Sequence, residues 1–96
     1  MITHVVLFRL KDRTPPSIEK AKAALAQLKG KVPSLRDLEV GSDLVRSERS
    51  YDIALVARFD DLAGLDAYRQ HPAHLEAVKY IAGVKDDDAA VDYEIR

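Results

Sequence analysis

The sequence contains no cysteine and no tryptophan, and only three histidines. Without thiols there is no disulfide, no thiolate metal ligand and no cysteine nucleophile, a pattern that fits a reducing compartment. Charge of one sign is missing too: 15 Lys and Arg stand interspersed with 16 Asp and Glu, for a formal net charge of -1. A phosphate backbone is met by a basic stripe, so nucleic acid is not an expected partner. No window approaches the ~20 apolar residues of a membrane helix. The opening stretch MITHVVLFRLK lacks the basic start, long apolar run and small-residue cleavage site of a signal peptide. These absences together predict a cytoplasmic protein with no membrane partner.

What is present describes one folded domain over residues 1–96. Hydrophobic residues at 47% and charged residues at 32% are ordinary for a globular chain and argue against disorder. A chain of this size buries only about 60–65% of its unfolded surface, so a partner subunit would add useful burial.

Residues 2–10 alternate, with Ile2, His4, Val6, Phe8 and Leu10 on one side and Thr3, Val5, Leu7 and Arg9 on the other. Period two predicts a strand. Thr14-Pro15-Pro16 predicts a capped helix start, and Ile18, Ala21, Leu25 and Leu28 form its apolar face. Gly30 and Pro33 are expected to end that helix. Residues 35–44 predict a second strand with Gly41 at a bulge or close approach, and residues 51–59 a third. Asp60 or Asp61 caps a short helix carrying Leu62, Leu65 and Tyr68, which Pro72 interrupts. A second helical piece holds His74, Leu75, Val78 and Ile81. Gly83 and Asp86-Asp87-Asp88 are expected in an exposed loop, before a last strand with Val91, Tyr93 and Ile95.

The order β-α-β-β-α-β, its second helix broken, predicts an α+β ferredoxin-like fold with a four-stranded antiparallel sheet covered on one side. Val5, Leu7 and Val56, with Val91, Tyr93 and Ile95, then fall on the uncovered face. Pairing two such faces about a two-fold axis removes the apolar patch, so a homodimer is expected.

One polar cluster interrupts this pattern: YRQHPAHLE, residues 68–76. His71 precedes a proline and reads as a cap or turn residue. His4, on the helix-facing side of its strand, needs a hydrogen-bonding partner, and Tyr68 and His74 are candidates. For His4 and Tyr68 a purely structural reading stands beside the functional one: a satisfied core imidazole and a packed ring. Three histidines without HxH or HExxH spacing predict no metal site, and the aspartate run lacks the spaced ligands of a calcium loop.

The strand ITHVVLFRLK with its histidine, the VPSL segment, the strand YDIALVARF and above all Y-x-x-H-P-A-H at residues 68–74 resemble the stress-responsive dimeric α/β-barrel (Dabb) family over essentially the whole chain. The resemblance implies a dimer whose two four-stranded sheets face each other as a barrel, with a separate cavity between sheet and helices in each subunit. The family's plant polyketide cyclases close a linear tetraketide by intramolecular aldol condensation. By that resemblance His4, Tyr68 and His74 match catalytic positions, and His71 with Pro72 is structural. A cavity-lining tyrosine of those cyclases falls at Leu25 here, so the pocket differs in shape and hydrogen bonding.

The function expected is a small-molecule-binding stress-responsive barrel protein, with cofactor-free acid/base chemistry such as aldol cyclisation or enolisation as its possible reaction. His74 is the expected base, Tyr68 the oxyanion stabiliser and His4 a hydrogen bond from the sheet. Val6, Phe8, Leu25, Ile53 and Leu55 are the expected apolar walls around a small hydrophobic or polyketide-like ligand. The alternatives are a binding or stress protein that performs no chemistry and, ranked last, a haem- or quinone-type monooxygenase on a related barrel with His71 or His74 on iron.

Overall fold

A computed structural model describes residues 1–95. The chain runs β1 (Ile2–Leu10), α1 (Pro15–Ala26), β2 (Asp37–Ser42), β3 (Ile53–Phe59), α2 (Leu62–Gln70), α3 (Pro72–Val84) and β4 (Lys85–Glu94). The strands form one antiparallel sheet in the order β2-β3-β1-β4. This is the ferredoxin-like α+β fold with the second helix split.

The central place of β1 follows from its sequence, apolar on both faces. Residues directly opposite one another in an antiparallel pair project to the same face. The pairs His4↔Ala57, Leu38↔Ala57 and His4↔Asp92 therefore make one row facing the helices. Ile18, Ala21 and Leu25 of α1 close over that face and are buried, as are Leu65 and Tyr68 of α2 and Ile81 of α3. The opposite face carries Val5, Leu7 and Val56 at its centre, with Val91 and Tyr93 exposed at 55% and 44% on β4.

Several local expectations need correction. Thr14 is the N-cap of α1, but its side chain makes no cap bond; its carbonyl accepts the Ile18 N–H at 3.0 Å and its N–H goes to Asp12. Pro16 removes one of the two N–H groups such a cap serves, leaving only that of Ser17. The helix ends at Ala26 in a series of turns. Gly30 lies beyond it at φ +82°, where a side chain is disfavoured. Gly41 sits in regular pairing opposite Ala54, and a Cβ there would meet nothing within 4 Å. The largest difference is at the end of the chain. Asp86, Asp87 and Asp88 are no loop, because β4 begins at Lys85 and pairs with β1 from Leu10↔Lys85 onward. A shift in register between Arg9 and Leu10 accommodates its first residues.

The break between α2 and α3 is built from one dipeptide. His71 leaves helical geometry at ψ 138°, as a residue before proline is driven to do. Its Nδ1 accepts the Ala73 N–H at 3.0 Å, and Pro72 opens α3. Asp61 caps α2 through the Gly64 N–H at 2.8 Å.

One carboxylate lies in the core. Asp52, fully buried, accepts the Leu10 N–H at 2.8 Å, Arg13 at 3.0 Å and Arg46 at 2.7 Å. Burial pushes its pKa up, but the Leu10 N–H and the two guanidinium bonds outweigh it and hold the carboxyl below its ordinary value.

Candidate functional site

Between the sheet and the helices lies a cavity of about 190 Å³. Its floor is His4, Val6 and Phe8 of β1 with Leu55 of β3, and Leu25 and Leu28 close one side. Tyr68 of α2 and His74, Val78 and Ile81 of α3 form the roof, while Lys85 and Asp88 of β4 stand at the far end. Four of the five expected apolar wall residues are therefore on the cavity. Ile53 is not: it is buried at 2% in the core, one strand farther from β4 than its partner Phe8. His71 is a helix cap and does not line the cavity.

His4, Tyr68 and His74 do come together. The Tyr68 and His74 ring centroids are 4.4 Å apart, and those of His4 and Tyr68 are 6.1 Å apart. Alternation on β1 turns His4 toward the helices. The turn of α2 places Tyr68 above it, and the Pro72 break lets α3 bring His74 back beside Tyr68. Phe59 packs on the other side of the tyrosine at 5.0 Å.

The hydrogen bonds fix the state of each group. His74 Nδ1 lies 3.0 Å from the Arg69 carbonyl oxygen. A carbonyl only accepts, so Nδ1 carries the proton and Nε2 keeps its lone pair in the neutral ring. Burial lowers the His74 pKa; the Arg69 carbonyl opposes this, and the charges of His4 and Arg69 add to the lowering. His74 is thus neutral at pH 7. The Tyr68 hydroxyl has no hydrogen-bond partner among the described residues, and burial pushes its pKa up to about 12. It remains a donor throughout the neutral range.

Asp92, which sequence reasoning passed over, lies across the sheet from His4. Its Oδ1 is 2.5 Å from His4 Nδ1, and its Oδ2 is 3.6 Å from an Arg69 guanidinium nitrogen. A carboxylate on Nδ1 fixes tautomer and ring orientation, leaving Nε2 as the free edge of the imidazole. The signal was the strand register: Asp92 sits on the helix-facing side of β4, beside His4. Lys85 and Asp88 at the far end form an ion pair with each other. Among the described residues no group of three or more His, Cys, Asp or Glu side chains is placed to hold a metal ion. Nor is any helix among them long and apolar enough to cross a membrane.

The match to the stress responsive A/B barrel domain covers residues 2–95. This chain belongs to the Dabb family. A dimeric ferredoxin-like protein of unknown function from Thermobifida fusca is 37% identical, with a TM-score of 0.86 over 98% of this chain and 90% of that one. A dimeric protein of unknown function and ferredoxin-like fold from Bacteroides fragilis is 35% identical, with a TM-score of 0.84 over 98% and 95%. The hydroxynitrile lyase of Passiflora edulis shares the fold at 20% identity, with a TM-score of 0.84 over 99% and 93%. No functionally curated protein matches the chain.

Proposed function

We propose that this Dabb protein is a homodimer that takes a small hydrophobic carbonyl compound into each cavity and moves a proton on it without a cofactor. The observation that carries the reading is the state of three groups around one apolar hollow. His74 offers a neutral Nε2, the Tyr68 hydroxyl is protonated and unpartnered, and His4 is held by Asp92. Neutral imidazole takes the proton from a carbon next to the carbonyl, or from the hydroxyl of an aldol-type adduct. Tyr68 donates to the oxygen on which charge develops, and a buried donor of this kind is worth about 10²–10³ in rate. His4 hydrogen-bonds the substrate from the sheet side through Nε2.

Size narrows the substrate. An apolar cavity of ~150 Å³ holds one benzene, so about 190 Å³ suits a single ring or a short branched chain bearing one carbonyl. A linear tetraketide is larger than that space. A small hydroxynitrile, the substrate class that the Passiflora edulis lyase's name denotes, is one adduct of suitable size. Base removes the hydroxyl proton, the carbon–carbon bond breaks, and cyanide leaves to be protonated.

The dimer rests on the description of both bacterial relatives as dimeric. It rests equally on the apolar residues Val5, Leu7, Val91 and Tyr93 on the face no helix covers.

The test is deuterium exchange at the carbon beside the carbonyl, followed by NMR in D2O over a panel of one-ring ketones and aldehydes, with release of aldehyde from hydroxynitriles run alongside. The natural protein accelerates at least one of them and His74→Ala does not. A ligand that raises the melting temperature yet is never exchanged or cleaved would make this a binding protein.

A further inference from the structure

Arg69 stands where the two imidazoles are controlled. Its carbonyl oxygen accepts from His74 Nδ1 at 3.0 Å, and its guanidinium reaches 3.6 Å from Asp92, the carboxylate on His4. Main chain and side chain of one residue thus touch the supports of both histidines. Arg69 is not on the cavity wall and its side chain is half exposed, so it does not meet the substrate.

We propose that Arg69 is a positioning residue, whose guanidinium clamps Asp92 against His4 while its main-chain carbonyl fixes the Nδ1-protonated tautomer of His74. The proposal deepens the acid/base reading of this site and rests on it for its purpose, though not for its test.

The charge logic runs through every element that meets His74. From β1 it faces His4, and from α2 it faces Tyr68 and Arg69 itself. Asp92 of β4 is reached through His4 and Arg69. Residues 25 and 28 present only leucine, and Lys85 and Asp88 at the far end of the cavity pair with each other. The carboxylate reached through His4 is therefore already engaged by Arg69. With the guanidinium in place, a proton on His74 meets a neighbouring cation and a carboxylate that is otherwise occupied. Without it, the Asp92 oxygen nearest α2 is released, and a charged His74 meets less opposition.

The ion pair is too exposed to act chiefly through stability, because surface pairs contribute little. Its effect is on which group carries charge and which way Asp92 points. In this respect one side chain does two jobs that a neutral residue at position 69 would leave undone, and the main-chain carbonyl alone would fix only the His74 tautomer.

The experiment is imidazole NMR on the full chain, with no substrate needed. The natural protein, Arg69→Gln and Arg69→Lys are each titrated from pH 4 to 9, and the His74 midpoint and tautomer are read from ring nitrogen and carbon shifts. The expected result is a higher His74 midpoint in Arg69→Gln and restoration toward the natural value in Arg69→Lys. The Nδ1-protonated tautomer should persist in all three, since a backbone carbonyl sets it. The natural protein in 1 M salt, where the screening length falls to ~3 Å, should move in the same direction as Arg69→Gln, which gives an arm free of any mutation. An unchanged midpoint in Arg69→Gln and in high salt overturns the proposal, as does a midpoint that shifts equally in Arg69→Lys. Absence of carbonyl turnover would instead remove the proposed reaction and leave this result standing.

Discussion

The ring of Tyr68 lies 4.4 Å, centroid to centroid, from that of His74, and 5.0 Å from that of Phe59 on its other side. The tyrosine is thereby held as a core residue by its ring while its hydroxyl has no partner among the described residues. Packing and chemistry separate at a single oxygen atom. Tyr68→Phe keeps the ring and removes only the donor, so the melting temperature should stay within a few degrees of the natural protein or rise. Turnover should fall by about 10²–10³, and a thermal melt run beside the exchange assay reads both. A variant with full activity would reduce Tyr68 to packing.

Asp92→Asn keeps the size of the side chain and removes its charge. An amide presents either its oxygen or its NH2 to His4, so the Nδ1–H tautomer is no longer enforced. His4 is then no longer held to meet the substrate, and turnover should fall by up to about 10²–10³, the cost of losing one oriented hydrogen bond at the reacting group. Circular dichroism should be unchanged, because Asp92 is on an edge strand.

The lowered pKa of His74 makes stability depend on pH with a definite sign. Below the ordinary value near ~6.5 the unfolded chain binds a proton at this position more readily than the folded chain does. The contribution is present in full above that value and is lost as the pH falls through the folded-state pKa. Urea midpoints measured between pH 8 and pH 5 should decline in the natural protein. In His74→Phe the decline should be shallower.

Asp52 behaves in the same direction at lower pH. Its folded-state pKa lies below the ordinary carboxylate value, so its contribution is present above about pH 4 and is lost as the pH falls further. Asp52→Ala removes the acceptor for the Leu10 N–H and two guanidiniums. Breaking a buried pair costs about 3–5 kcal/mol, which we reduce to about 2–3 because Arg13 and Arg46 are each 37% exposed. Chemical denaturation at pH 7 checks the figure.

Charge on the uncovered sheet face should separate subunits. Val91→Asp and Tyr93→Asp each place a carboxylate among the apolar residues of β4 and β1. Gel filtration with light scattering should show a dimer for the natural protein and a shift toward monomer for the double variant.

Much of this was legible in the residues themselves. The alternation of residues 2–10 and 51–59 fixes two central strands. Leu25, Tyr68 and Ile81 mark helix faces, and Pro72 marks the break that turns His74 toward Tyr68. What escaped was long-range or unpatterned. β4 begins with Lys85 and three aspartates at the edge of the sheet, so apolar alternation is missing where the strand begins. Asp92 became visible only through its register with His4, a relation between residues 88 positions apart. Thr14 shows the converse: a residue of the right type at the right place whose side chain makes no cap bond, with Pro16 removing one of the two groups it would serve.

The same aspartates have a further consequence for how the molecule behaves in a crowd. β4 is ten residues long and lies at the border of the sheet, where a bare ladder of amides invites another polypeptide to dock and propagate. Asp86 and Asp87 put negative charge at the start of that border, so a second strand of like kind is repelled as it approaches. Acid or neutralising substitutions at Asp86 and Asp87 lift this guard and leave the edge open to another strand.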